Sequence, residues 1–147
     1  MDFPLRLFAG TSHPILAQEI AKYLKVSVSE MVLSKFANGE LYAKPVQSVR
    51  GCDVFVLQTA TANVNEDLMQ LFIILDALKR SFTHRIHVVM PHYAYARQDR
   101  VAHPREPISA KLVADLISAA GADHVVAVQL HSNQTQGYFN FPVDNVS

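Results

Sequence analysis

The chain has 147 residues, half of them apolar, with 13 basic against 13 acidic side chains and a single cysteine. A domain of this size buries about two-thirds of the surface that its unfolded form exposes, so it can hold a core without the disulfides or thiolate metal cluster that one cysteine rules out. A formal charge of zero argues against a global nucleic-acid or membrane-surface binder, so a cationic patch that matters is local and fits a small anion.

The start "MDFPLRLFAG" lacks the charged region and long apolar core of a signal peptide, and no run reaches the roughly 18 apolar residues of a membrane span. The expectation is a soluble, cytoplasmic protein with Cys52 as packing filler. "RLFAG" reads as a strand closed by Gly10. "TSHPILAQEIAKYL" reads as a helix capped by Thr11 or Ser12, with Pro14 in the first turn and Leu16, Ile20 and Leu24 on one face. "MVLSKF" and "ELYAKPV" are two strands around the Asn38-Gly39 turn signal, with Pro45 marking an edge. "CDVFVLQT" is a continuous apolar strand of the kind buried on both faces. A helix starts near Asn65, with Glu66 and Asp67 in its first turn and Lys79 and Arg80 in its last, so its charges oppose the macrodipole. Its apolar face is Leu68, Leu71, Phe72, Leu75 and Leu78. "RIHVVMP" and "HVVAVQL" are the last clear strands, separated by a helix from Pro107 to Ala120 that Gly121 stops.

This alternation predicts an α/β fold, a mostly parallel sheet flanked by helices on both faces, in one domain over residues 1–147. Ligands of such sheets gather beyond the carboxyl ends of the strands, so the loops after "VVMP" and "VAVQL" are expected on one rim. The chain has no internal repeat or linker. It stops just after a Pro-Val-Asp turn, so Ser147 is expected to be a cut.

Three segments carry candidate chemistry. His92 to Lys111 holds three arginines, two histidines, two tyrosines and a lysine, between a strand and a helix. Within it, "YARQDR" lets Arg97 or Arg100 face a phosphate while Asp99 braces the other arginine and Gln98 adds a neutral amide. A solvated loop with ordinary ion pairs is the competing reading. His103 and Arg105 line the same site or are plain loop residues, Lys111 is a candidate or a surface lysine, and Tyr93 and Tyr95 frame the loop. The second segment is "QLHSNQTQGYFNFPVD". His131 there follows an apolar strand and either holds a metal or phosphate or is a hydrogen-bonded rim histidine. With Asp144, the segment's carboxylate, it makes an incomplete Mg²⁺ site, the metal keeping waters and taking oxygens from phosphates. The third is "KFANGE", where Phe36 can stack on a base and Asn38 and Glu40 can bond its edge, unless it is simply a turn.

Taken in order, "RLFAGTSHPILAQEIA", "KFANGE", "VRGCDVFVLQT", "NEDLMQL", "PHYAYARQDR" and "REPISAKLVADLISAAGADHVVAVQLHSNQTQGYFNFPVDN" resemble the ribose-phosphate pyrophosphokinases, or phosphoribosyl pyrophosphate synthetases. The resemblance covers essentially the whole chain. It implies a type I phosphoribosyltransferase-like domain. It also implies a reaction in which the β,γ-pyrophosphoryl group of MgATP moves to the 1-hydroxyl of ribose 5-phosphate, giving phosphoribosyl pyrophosphate and AMP. By position, Arg97 and Gln98 would contact ATP, with Arg97 on the phosphates. Phe36, Asn38 and Glu40 would hold adenine, delivered from a neighbouring subunit of a homo-oligomer. Gly39, Asp99 and Arg100 belong to the same two ATP motifs, and His131 would stand at the Mg²⁺ and phosphate end.

The sequence departs from the family at Gln129 and Asn140, where aspartates proposed to bind metal are usual, leaving Asp144 as the motif's carboxylate. The family's second half, with its ribose-phosphate loop, acidic pair and catalytic Lys-Arg loop, has no counterpart here. The chain is therefore expected to be an N-terminal ATP-binding domain with no catalytic residue of its own, inactive alone. A non-catalytic synthetase-associated subunit is the rival reading. A type I phosphoribosyltransferase is disfavoured by the missing acidic pair.

Overall fold

The computed structural model describes residues 2–146; Met1 and Ser147, with the cut expected there, lie outside them. In chain order the elements are β1 (Leu5–Ala9), α1 (Pro14–Leu24), β2 (Met31–Lys35), β3 (Leu41–Pro45), β4 (Asp53–Leu57), α2 (Val64–Arg80), β5 (Arg85–Val89), α3 (Ser109–Ala120), β6 (His124–Ala127), a 3₁₀ turn (Asn133–Tyr138) and β7 (Val143–Asn145). The main sheet is parallel throughout, in the order β1-β4-β5-β6-β7. The hairpin β2-β3 stands apart from it as an antiparallel pair lying against α2.

The parity of the strands divides the two faces. Phe8, Val54, Val56, Ile86, Val88, Val125 and Ala127 point to the larger core beneath α2 and α3. There α2 seats Leu68, Leu71, Ile74, Leu75 and Leu78, each buried and worth about 1.5–3 kcal/mol of transfer free energy. On the other face, Leu7 and Leu57 are buried with Ala17 and Ala21 of α1. The chain then rounds the outer edge of β1, where Val28 makes a parallel bridge to Leu7, and reaches the α2 side with the hairpin.

The structure changes several expectations. His13, not Thr11 or Ser12, caps α1, its Nδ1 accepting from Leu16 N at 3.0 Å. Thr11 and Ser12 bond instead to buried glutamines. The helix packs through its alanines, and Leu24 is exposed. β4 is fully buried on one face; on the other Leu57 is buried but Asp53 and Phe55 are half-buried, because α1 covers that face near β1 and leaves the rest more open. α3 starts at Ser109, two residues after Pro107. The expected Pro-Val-Asp turn is replaced by the edge strand β7, "VDN", which pairs Val143 with Val125 and Asn145 with Ala127. No helix of the described residues is long and apolar enough to cross a membrane.

Candidate functional site

The loops after β5 and β6 share the carboxyl rim, as the alternation predicts, and the contacts between them are specific. His92 and Gln129 form a parallel bridge that prolongs the β5-β6 pairing past the strand ends. Beyond it, Tyr93 is fully buried and its hydroxyl donates to Ala110 O at 2.9 Å, tying the loop to α3. Burial pushes the Tyr93 phenol up, so it stays a neutral donor. Tyr95 takes a left-handed backbone, φ +61, and its hydroxyl donates to Asn65 Oδ1 at the start of α2. A non-glycine residue in that region costs of order 1–3 kcal/mol, and here two neighbouring elements hold it. Gln98 fixes the entry to α3, because its Oε1 accepts from Ser109 Oγ at 2.6 Å and its carbonyl from Ala110 N at 3.0 Å.

Asp99 does not brace an arginine. Its carboxylate accepts from His131 Nδ1 at 3.0 Å, across the rim, and its carbonyl accepts from the Tyr138 hydroxyl. The His131 bond holds the Asp99 carboxyl below the usual carboxylate range. Arg97 and Arg100 are exposed and make no ion pair among the described residues, which leaves two cations on the rim uncompensated. His103 and Arg105 sit on the exposed turn before α3. Lys111 bonds Asp115 and the Tyr138 carbonyl, so it braces the 3₁₀ turn and is not a plain surface residue.

The two candidate metal residues are held by different partners. Asp144 lies on β7 and accepts from His124 Nε2 at 2.8 Å, while His131 is bound to Asp99. Among the described residues no group of three or more His, Cys, Asp or Glu is placed to hold a metal. Gln129 and Asn140 are exposed and add no charge. The hairpin turn is real: Gly39 has φ +93, Asn38 Nδ2 donates to Glu40 Oε1 at 2.9 Å, and Glu40 N donates to Asn38 Oδ1 at 3.1 Å. Phe36 beside it is 54% exposed, with one edge against Tyr42. A cleft of about 670 Å³ runs between Asn38, Gly39 and Glu40 of this turn and Asn65, Glu66 and Met69 of α2.

Sequence reasoning missed the polar cluster under the β1-α1 loop. Gln58, just past β4, is buried; its Oε1 accepts from Ser12 N and Oγ, and its Nε2 donates to Asp67 O and Gln70 Oε1. Gln70 Oε1 also accepts from Thr11 N and Oγ1. Asp67 Oδ2 in turn accepts from Thr61 N and Oγ1. The signal was the glutamine that ends the apolar run "VFVLQ".

A parallel α/β sheet with rim loops tied across its strand ends belongs to the class of open α/β domains that carry their ligand sites beyond the carboxyl ends of the strands. Comparison with known proteins narrows the class. The family model described as the N-terminal domain of ribose phosphate pyrophosphokinase matches residues 5–121, and the chain belongs to that family. It is 54% identical over 142 residues to a ribose-phosphate pyrophosphokinase of Mycobacterium tuberculosis, covering 97% of this chain and 44% of that protein. To the Clostridium perfringens enzyme of the same name it is 51% identical, with the same coverage. The crystal structure of phosphoribosylpyrophosphate synthetase from Mycobacterium smegmatis superposes with a TM-score of 0.95 at 52% identity, over 97% of this chain and 48% of that one. The chain thus spans less than half the length of these relatives.

Proposed function

We propose that this chain is the N-terminal ATP-binding domain of an enzyme that transfers the pyrophosphoryl group of MgATP to ribose 5-phosphate, giving 5-phosphoribosyl 1-pyrophosphate and AMP. The observation that carries the reading is the pair of exposed, uncompensated guanidiniums of Arg97 and Arg100 on the loop that His131 bonds through Asp99, at the rim where such folds bind anions. Pyrophosphoryl transfer needs positioning and charge neutralisation more than a covalent group, which suits a rim without a nucleophile.

Arg97 and Gln98 take the triphosphate, with Asp99 and Arg100 completing the loop. Phe36, Asn38, Gly39 and Glu40 take adenine, and the exposure of Phe36 suits a segment offered to a neighbouring copy in a homo-oligomer. Mg²⁺ fits a site with few protein ligands, because it keeps waters and shares phosphate oxygens; bound there, it would neutralise the β and γ phosphates. His131 would be a protein donor to it in this reading, and Asp144, whose Oδ2 accepts from His124, would still offer Oδ1 to the metal end. The ribose 5-phosphate site and the catalytic lysine and arginine belong to a second domain outside these residues, and the setting is cytoplasmic. The neutral Gln129 and Asn140 are what favours the second reading, a non-catalytic synthetase-associated subunit.

Titration calorimetry tests the phosphate site. Arg97→Ala is expected to weaken MgATP about 10- to 100-fold, the worth of a charged hydrogen bond or two, and to leave adenosine unchanged. Equal weakening of both ligands would remove Arg97 from the phosphates. AMP release by the full-length protein from MgATP and ribose 5-phosphate tests the transfer, and its absence would leave the associated-subunit reading.

A further inference from the structure

The two rim loops meet through one carboxylate. Asp99 follows β5 and His131 follows β6, and His131 Nδ1 lies 3.0 Å from Asp99 Oδ2. The Asp99 side chain is 11% exposed and the His131 side chain 53%. The carboxylate lies inside and the imidazole outside, the reverse of an aspartate that merely solubilises a loop. Asp99 is two residues from Arg97 and next to Arg100, either a stronger ion-pair partner than a neutral imidazole, yet it pairs with neither. It is also held through its own carbonyl, which accepts from the Tyr138 hydroxyl, and Tyr138 is in turn held by Lys111 Nζ at 3.2 Å from its carbonyl.

A carboxylate only accepts hydrogen bonds, so His131 Nδ1 carries the proton and donates it. The neutral ring then has its lone pair on Nε2. A carboxylate partner of this kind fixes both the tautomer and the orientation of a ligating histidine and makes it more basic. We propose that Asp99 is a positioning residue that locks His131 as the Nδ1–H tautomer and presents the Nε2 lone pair to the Mg²⁺–triphosphate. This inference rests on the reading of His131 as the metal and phosphate end. It gives the arginine loop two actions on the nucleotide, directly through Arg97 and through the neighbouring loop by way of Asp99.

The test separates the two claims. Long-range ¹H–¹⁵N spectra of the histidine rings, recorded on this chain at about pH 8, above the ordinary histidine range, report the His131 tautomer. The wild type is expected to show the Nδ1–H pattern, Asp99→Ala mostly Nε2–H, and Asp99→Asn, which keeps a carbonyl acceptor, substantial return to Nδ1–H. An Nε2–H wild type, or a pattern that Asp99→Ala leaves unchanged, would overturn the proposal whatever the chain binds.

Affinity for MgATP is the second readout. Asp99→Ala is expected to weaken it about 10-fold in the wild-type background and not at all in a His131→Ala background, as an outer partner acting only through its histidine should. Equal losses in both backgrounds would make Asp99 an independent contact or a structural residue and sink the proposal. Should Asp99→Ala lose the dispersed amide spectrum of a folded chain, the same cycle with Asp99→Asn decides, again with no further loss expected beside His131→Ala. A wild-type chain that shows the Nδ1–H tautomer but does not bind MgATP overturns both the nucleotide reading and the presentation of Nε2 to it, with the Asp99 lock intact.

Discussion

Gly10 ends β1 where the backbone passes over Gln58 and Gln70, and a Cβ there would lie 2.2 Å from Gln58 Oε1 and 2.7 Å from Gln70 Oε1. Neither amide can retreat freely, since Gln58 is buried and bonds Ser12, Asp67 and Gln70 at once. Gly10→Ala is therefore expected to destabilise by about 1–3 kcal/mol, the range for overpacking, with the shift read as a lower urea midpoint at unchanged slope. An unchanged midpoint would mean that the glutamine cluster yields cheaply. At this scale the sequence was least legible. Ser12 satisfies every rule for a helix cap, yet its hydroxyl also donates to Gln58 and accepts from Thr59 N at 2.9 Å, contacts 46 and 47 residues away that no local pattern reveals. The Asp99–His131 bond spans 32 residues between two loops without periodicity, so the reading gave Asp99 its sequence neighbours instead.

Among the elements, apolar spacing located β1, β4, β5 and α2 because burial imposes it. It missed β7, whose three residues include an aspartate and an asparagine and sit at the edge of the sheet, where one-sided pairing asks little of side chains. It also placed the contact face of α1 on Leu16, Ile20 and Leu24, whereas the helix buries Ala17 and Ala21, keeps Leu16 and Ile20 half-buried and leaves Leu24 outside. With no acidic residue in its first turn, α1 leans on the His13 cap. His13→Ala is expected to cost about 0.5–2 kcal/mol and to act locally. Amide exchange at Leu16 should quicken while the amides of α2 stay as they are; loss of protection in both helices would make His13 part of the global core.

For the molecule as a whole, the more open face of the sheet carries a line of polar rings. Asp144 accepts from His124 Nε2–H at 2.8 Å, so His124 Nδ1 is the acceptor for His87 Nδ1–H, also at 2.8 Å, and Phe55 stacks on His87 with centroids 4.2 Å apart. His87 Nε2 is then a buried acceptor without a partner among the described residues. Burial first, and His124 second, hold the His87 pKa below its ordinary value of 6.5, with Arg85 adding to them and Asp53 and Asp123 opposing. A histidine with a lowered folded-state pKa binds its proton more readily when unfolded. Stability should therefore be unaffected by His87 well above pH 6.5 and fall as the pH drops below it. Melting temperatures between about pH 7.5 and pH 5 check this, and His87→Phe should flatten the acid side of the curve; an equally steep fall in the variant would assign the effect elsewhere.

The bridge from Val28 to Leu7 has a consequence for growth of the sheet. It occupies the outer backbone of β1, reinforced by Ser29 N donating to Leu7 O at 2.7 Å, so that flank is closed to another strand. Among the described residues the opposite flank, β7, has no strand beyond it. Among the described residues the sheet is thus one-ended: a polypeptide that extends it by backbone pairing begins next to Asp144.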